Sequence, residues 1–503
     1  MAHAESERRD RLDDVTMSRV TAALFMALAL SSCGSSVGTR DGAAIGCQGR
    51  GRSRCVAKLS LGAGFACAAL GDESVWCWGR NDENQLGYES TDQCPERLGS
   101  GQLRSVACHA FPQQVTSVRD AIAISAGGAH ACALTAGSTL HCWGGNAYGQ
   151  LGNGGSLPSV NAVAVTNGTA VTAVVAGGRH TCAIIDGRVA CWGANDRGQL
   201  GVANASSACA AAGATVPCER TPTRVAGIQD AVELAAGDEH TCARTMDGRV
   251  FCWGTNVDGE LGRGTADATA TATPAPALVG TTAATRVRAI SASGHHTCAL
   301  RADDAVVCWG RNDRGQLGVT IASAPFAPCA NACVPAPVPV QAFEAMEEEQ
   351  IDSGVFADAT AGDGRADAAR DAARADAADA GDAAFDSGLQ APRMAKPTAL
   401  ATGATHSCAL LEDRTVRCWG GNRSRERGDG QLSEGGPELS TVIAAPGAAA
   451  TNPLQNVSAI ESGGATSCAL LEDRSLRCWG SNTSGTLGIG SADEQGGPVS
   501  VTW

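Results

Sequence analysis

The sequence predicts an all-β protein built as a seven-bladed propeller, and three observations predict it. One pattern recurs seven times: A/S-G-x-x-H-T/S-C-A-L, a short turn, then V/L-x-C-W-G-x-N, often extended by x-x-G-Q-L-G. Its first Cys falls at 67, 132, 182, 242, 298, 408 and 468, giving steps of 65, 50, 60, 56, 110 and 60 residues. Periods of about 50–60 residues with a Trp-Gly signature mark propeller blades, and such an array can use a long chain in one domain. The step of 110 holds one long insertion, not a missing repeat. Finally, 63 glycines among 503 residues and only 18% charged residues suit strands joined by tight turns.

Within each repeat the local chemistry gives a hairpin. In the third, Cys182-Ala-Ile-Ile leads into Asp186-Gly187 and then Arg-Val-Ala-Cys191. Asp-Gly is a strong two-residue turn because both residues accept positive φ. With those two as the loop, Ile185 faces Arg188, Ile184 faces Val189 and Cys182 faces Cys191. Directly opposed Cα atoms lie about 4.5 or 5.5 Å apart, within disulfide reach. The other repeats carry one more turn residue, as in Met246-Asp247-Gly248, and a Gly bulge keeps their cysteines opposed.

The 23 cysteines therefore read as disulfides of an oxidising compartment. Seven pairs follow from the hairpins: Cys67 with Cys77, Cys132 with Cys142, Cys182 with Cys191, Cys242 with Cys252, Cys298 with Cys308, Cys408 with Cys418 and Cys468 with Cys478. The remainder fall into local pairs, Cys47 with Cys55, Cys94 with Cys108, Cys209 with Cys218 and Cys329 with Cys333, and Cys33 is left over. Sequence alone cannot fix those local pairings. Metal sites need paired short Cys spacings, and Cys329-x3-Cys333 stands alone. No metal or cofactor is expected.

The repeat resembles that of the regulator of chromosome condensation family. Ala236-Gly-Asp-Glu-His240-Thr-Cys242 and Trp309-Gly-Arg-Asn312-Asp-Arg-Gly315-Gln-Leu-Gly318 carry the resemblance clearly. It spans about residues 56–503 apart from the insertions, and it implies four-stranded blades closed into a ring. Closure removes exposed sheet edges. Three departures stand out. Phe65 and Thr466 replace the repeat His, and the sixth repeat runs Cys418-Trp-Gly-Gly-Asn422-Arg-Ser-Arg-Glu-Arg with a late Gly430-Gln431-Leu432, which predicts a remodelled corner.

Outside the propeller, Val20–Leu30 is an apolar run of 11 residues after Met17-Ser-Arg19. That length suits a signal peptide and is too short to span a bilayer. Leu30-Ser-Ser-Cys33 resembles a bacterial lipobox, which implies lipidation of Cys33, a start at Met17 and a lipid-anchored place in the cell envelope; plain secretion is the alternative. Residues 1–33 are thus the signal region and residues 34–55 a tether. Residues 341–396 form an acidic insertion; Glu344 to Asp386 hold 13 acidic and 3 basic residues. Almost free of large apolar groups, that stretch predicts disorder, with Asp367/Arg370 and Asp371/Arg374 favouring at most a weak helix. Its carboxylates lack the alternate spacing of a calcium loop.

What repeats is scaffold by default. His130, His180, His240, His296 and His406 share one position and read as a repeated structural hydrogen bond rather than a metal ring. Trp78, Trp143, Trp192, Trp253, Trp309, Trp419 and Trp479 read as packing between blades rather than sugar platforms. Gly-x-Asn-x-x-Gly stretches such as Gly193–Gly198 lack the strand-to-helix setting of a phosphate loop. No catalytic motif stands out, and a net charge of −14 disfavours nucleic acid. The insertions near 88–118, 202–222, 319–337 and 423–450 follow one point of the repeat, so they share one rim. The reading is a monomeric, non-enzymatic envelope protein that binds a protein or envelope partner. The resemblance also implies guanine-nucleotide exchange as an alternative. A propeller-based carbohydrate-active enzyme is a third, and it requires a non-repeating charged cluster at the central channel.

Overall fold

The computed structural model describes residues 55–97, 103–211, 213–279, 286–320, 332–340, 343 and 394–503. Cys33, Cys47, Cys329, the rest of the tether and most of the acidic insertion lie outside the described residues. The chain folds as seven antiparallel sheets. Blade 1 spans Val56–Val115, blade 2 Ala121–Ala164, blade 3 Val171–Arg224 and blade 4 Ala231–Pro276; blade 5 spans Val287–Pro339, blade 6 Pro397–Thr441 and blade 7 Val457–Ser500. Each blade runs innermost, second, third and outer strand in chain order. Blades 1 and 3 add a fifth strand, Gln93–Arg97 and Ser207–Ala211, so their insertions are hairpins continuous with the sheet. No helix among the described residues is long and apolar enough to cross a membrane.

Alternation along the second strand organises the core, because successive side chains point to opposite faces. In blade 3, Cys182, Ile184 and Cys191 pack with Ala243 and Trp253 of blade 4. Ala183 and Trp192 pack the other way, with Cys132 and Cys142 of blade 2. One strand thus seals two seams. The Asp186-Gly187 turn has φ of 50° and 69°, and Cys182 opposes Cys191.

The same bridge recurs in every blade. Cys67 is bonded to Cys77, Cys132 to Cys142, Cys182 to Cys191, Cys242 to Cys252, Cys298 to Cys308, Cys408 to Cys418 and Cys468 to Cys478. In the six hairpins with the longer turn, Cys77, Cys142, Cys252, Cys308, Cys418 and Cys478 still stand directly opposite their partners. The Cα–Cα separations run from 4.0 to 4.2 Å. They lie nearest the shorter of the two spacings for opposed residues, where side chains approach most closely. All fourteen cysteines are buried, so the bridges are part of the seams as well as staples of the hairpins.

Each repeat Trp is buried in the seam facing the preceding blade and donates its indole N–H to a backbone carbonyl there. Trp253 reaches Gln199 O at 2.9 Å and Trp309 reaches Glu260 O at 2.8 Å. The last Gly of G-Q-L-G exists for that ring: a Cβ on Gly152 would lie 2.6 Å from Trp192 Nε1. The sixth corner corrects the sequence reading. Arg425-Glu426-Arg427-Gly428, not Gly430-Gln431-Leu432, fills the motif. Asn422 Oδ1 accepts from Arg427 N at 3.1 Å, Trp479 donates to Glu426 O at 2.9 Å, and Arg425 takes the left-handed φ of 61° usual for Gly. The corner is regular. The insertion assigned near 423–450 accordingly contains the ordinary outer strand Ser433–Thr441.

The first and last strands lie in different sheets, so contacts between blades 7 and 1, not a shared sheet, close the ring. Trp78 donates to Thr486 O at 2.8 Å, and Gly490 N donates to Ala110 O at 3.0 Å. Trp503 stands edge-on to Trp78 and Trp76, with centroids 5.9 and 6.2 Å apart. Opening one blade hairpin should weaken this assembly. Cys242→Ala combined with Cys252→Ala is expected to lower unfolding free energy by about 2–3 kcal/mol, measured by denaturant titration without reductant; an unchanged midpoint would show that the bridge contributes nothing.

Candidate functional site

The propeller has two unlike faces. One carries the tight turns between second and third strands, such as Asp186-Gly187. The other, here the glycine face, carries the Gly-x-x-His turns around the channel mouth and the Asn-x-x-Gly turns beyond them. On the glycine face neighbouring blades meet backbone to backbone. Ala63 N donates to Gly127 O, Gly128 N to Gly177 O, Gly178 N to Gly237 O, Asp238 N to Gly294 O and Ala404 N to Gly464 O.

The repeat histidines sit just beneath, wholly buried. Each Nε2 meets a hydroxyl of the next blade: His130 with Thr181, His180 with Thr241 and His240 with Thr297, all at 2.8 Å, then His296 with Ser407 at 2.9 Å and His406 with Ser467 at 2.6 Å. Thr241 Oγ1 itself donates to Gln199 O at 3.0 Å, so Nε2–H of His180 must donate to Thr241. The Nδ1 atoms have no partner. The two departures obey the same logic. Phe65 faces blade 2, where the hydroxyl position is Ala131, and Thr466 faces blade 1, where it is Ala66. A hydroxyl appears only where the preceding blade supplies a His.

The insertions of blades 1 and 3 rise on the glycine face and that of blade 5 begins there after Gly318, whereas the extra residues of the sixth repeat follow its outer strand, after Thr441. Cys94–Cys108 and Cys209–Cys218 staple the hairpins of blades 1 and 3, each with Cα atoms 5.8 Å apart. In blade 5, Cys333 opposes Arg311 at the same end of the sheet and is disulfide-bonded. Cys55, on the turn face beside Gly71, is also disulfide-bonded. Below them runs a polar arc that sequence reading missed. Arg179 lies 4.9 Å over the Tyr148 ring and pairs with Asp196 at 3.1 Å and Glu239 at 2.8 Å. Farther round, His295 Nδ1 is 3.0 Å from Glu260 Oε1, and Arg311 Nη2 is 2.6 Å from Asp258 Oδ2. The signal was Asp258 and Glu260 breaking the Gln-bearing motif. Asp258, Glu260 and His295 lie close enough to share a cation, but the Arg311 guanidinium already holds Asp258.

The central channel is a cavity of about 280 Å³. One aliphatic residue per blade rings it: Leu59, Ile124, Val174, Leu234, Ile290, Leu400 and Ile460, each opposite an Ala of the second strand. Among the described residues its charged lining is Lys58, Asp238 and Glu461.

Comparisons with known proteins fit this architecture. Models of the regulator of chromosome condensation (RCC1) repeat match residues 56–85, 121–150, 231–260, 287–316, 398–426 and 457–486, and a second set covers 72–134, 138–184, 186–244 and 247–300. The chain belongs to the RCC1 repeat family. It is 28% identical over 263 residues to the human E3 ubiquitin-protein ligase HERC2, covering 51% of this chain and 5% of that protein. It is 28% identical over 207 residues to the ultraviolet-B receptor UVR8 of Arabidopsis thaliana, covering 40% of this chain and 44% of that one. The match thus spans less than half of either relative. Human WBSCR16 superposes with a TM-score of 0.60 at 21% identity, covering 86% of this chain and 94% of that one. Prp20p of Saccharomyces cerevisiae, studied for binding to Gsp1p and histones, gives 0.57 at 20%, covering 85% of each. These similarities show the shared fold.

Burial holds the five RCC1-repeat histidines neutral, with His130 and His406 lowered to about 4 and His180, His240 and His296 to about 3. Their folded values lie below the unfolded one of about 6.5. The stability they confer is therefore complete above that value and is lost as pH falls toward 4 and 3. Each histidine should add a slope of up to about 1.4 kcal/mol per pH unit in that window. Urea midpoints at pH 7.5 and 5.0 should differ markedly; equal midpoints would mean that the histidines are not buried neutral.

Proposed function

We propose that this chain is a non-enzymatic scaffold of an oxidising, extracytoplasmic compartment, binding a protein or cell-envelope partner on its glycine face. The observation that carries this reading is the convergence on that face of the disulfide-bonded insertion hairpins of blades 1 and 3 and of disulfide-bonded Cys333 in blade 5. Loops on a rigid scaffold are where recognition concentrates, and cross-linked hairpins lose little entropy on binding.

The opposite face has a different role. Cys55 enters there beside Gly71, the acidic insertion leaves after Pro339 and returns at Pro397, and the chain runs out past Ser500. If Cys33 is lipidated, the tether leads from the turn face, and the stapled face points away from the membrane. A carbohydrate-active enzyme would need a charged cluster in the channel, and the polar arc lies outside that lining. Guanine-nucleotide exchange has the RCC1 fold in its favour.

Photo-crosslinkers at Gln93 and Thr215 on the stapled hairpins, and at Asp72 and Asp473 on the turn face, test the reading in native envelopes. One protein partner should crosslink from the hairpin positions at least ten times more efficiently. Equal yields from both faces, or accelerated nucleotide release from a small GTPase without any such adduct, would overturn it.

A further inference from the structure

The repeat fixes what the Gln of G-Q-L-G does. Gln85, Gln199 and Gln316 each accept a backbone N–H two residues back and donate to an Asp three residues back, Asp82, Asp196 and Asp313. Those corners bury no carboxylate at the Gln position. Blade 4 differs three times. Glu260 replaces Gln, Val257 replaces the Asp, and Asp258 takes a position that is Glu83, Tyr148, Arg197 or Arg314 in the Gln-bearing corners. Both carboxylate side chains are 0% exposed. Blade 6 also has an acid, Glu426, but the residue before Thr466 in the next blade is Ala465, which offers no base. Only the seam between blades 4 and 5 sets a histidine against such an acid among the described residues.

We infer that this seam is a proton-operated clasp: a proton bound at His295 completes the charge balance of Asp258, Glu260 and Arg311, and its loss loosens that one seam. With His295 neutral, two buried carboxylates face one guanidinium, leaving one uncompensated negative charge. Buried charge without a partner is costly. His295 Nδ1–H donates to Glu260, and the side chain keeps 27% exposure, so the incoming proton goes from solvent to Nε2. No other bond changes.

The groups facing His295 come from both blades. Blade 4 supplies Glu260, Asp258, Asp238 and the neutral His240; blade 5 supplies Arg311 and the neutral His296. The Glu260 hydrogen bond raises the His295 pKa, burial and Arg311 oppose, and Glu260 and Asp238 assist through their charge. Because the folded value is raised, the stabilisation is complete below the unfolded value of about 6.5 and is lost as pH climbs through the folded one. Its sign is opposite to that of the five repeat histidines. The clasp therefore tightens one seam of the glycine face on mild acidification.

Hydrogen exchange reads the seam directly. The Asp238 amide crosses it to Gly294 O at 2.9 Å, and the Gly178 amide crosses the neighbouring seam to Gly237 O at 3.3 Å. Between pH 6 and 9, after correction for intrinsic chemistry, Asp238 exchange should accelerate at least fivefold and Gly178 exchange should not. His295→Gln, whose amide can still donate to Glu260, should remove that pH response. Glu260→Gln, which restores the residue used by blades 1, 3 and 5, should also remove it and bring the His295 titration, followed by NMR, down. A response surviving in His295→Gln, or a His295 titration unmoved by Glu260→Gln, would overturn the proposal.

Discussion

Every blade of this protein must bind two neighbours through one layer of side chains and a few backbone hydrogen bonds at the glycine face. The sheets share no strand, so nothing in the backbone ladder joins one blade to the next. The second strand meets the demand by alternation, sending His, Cys and an aliphatic residue forward and Thr or Ser with Ala backward. The forward His and the backward hydroxyl of the following blade then meet in the seam. The disulfide and the indole do the same across the third strand. The repeat is therefore better understood as two half-seams than as one blade.

Several constraints follow from that packing. A Cβ on Gly177 would stand 2.3 Å from His180 Cε1, so the Gly of Gly-x-x-His is the floor on which the imidazole lies. The imidazole in turn has to stay neutral, because its neighbours are a hydroxyl and apolar walls. Blade 1 escapes this demand. Its two seams use Phe65 with Ala131 and Thr466 with Ala66, and closure there rests on Trp78, Trp503 and the hairpin carrying Ala110.

Much of the fold was legible because the repeat writes it seven times. The hairpin register around Asp186-Gly187 follows from turn chemistry alone. The sixth corner was misread for a physical reason. Its decisive contact is the carbonyl of Glu426 receiving the Trp479 indole, and a carbonyl leaves no mark in a sequence. Arg425 could replace Gly by adopting a left-handed backbone. The His–hydroxyl rule was present in the letters but invisible without knowing that the partner belongs to the next repeat. The candidate site was legible only as a set of insertions. That the hairpins of blades 1 and 3 rise on one face, opposite the strand ends that flank the acidic insertion, depends on strand direction. The cluster of Asp258, Glu260, His295 and Arg311 needed the seam geometry to bring two repeats together.

A double-mutant cycle on His180 and Thr241 tests the seam pairing most directly. Thr241→Ala leaves a buried imidazole N–H without an acceptor and should cost about 1–3 kcal/mol. His180→Phe alone should also destabilise, by removing the donor to the Thr241 oxygen, which keeps only its own bond to Gln199 O, and by reshaping the seam. Together the two changes recreate the Phe–Ala pairing of the seam between blades 1 and 2. The double variant should recover at least about 1 kcal/mol relative to the sum of the singles. Strict additivity would contradict the account, because it would mean that the two residues do not form the joint on which the ring depends.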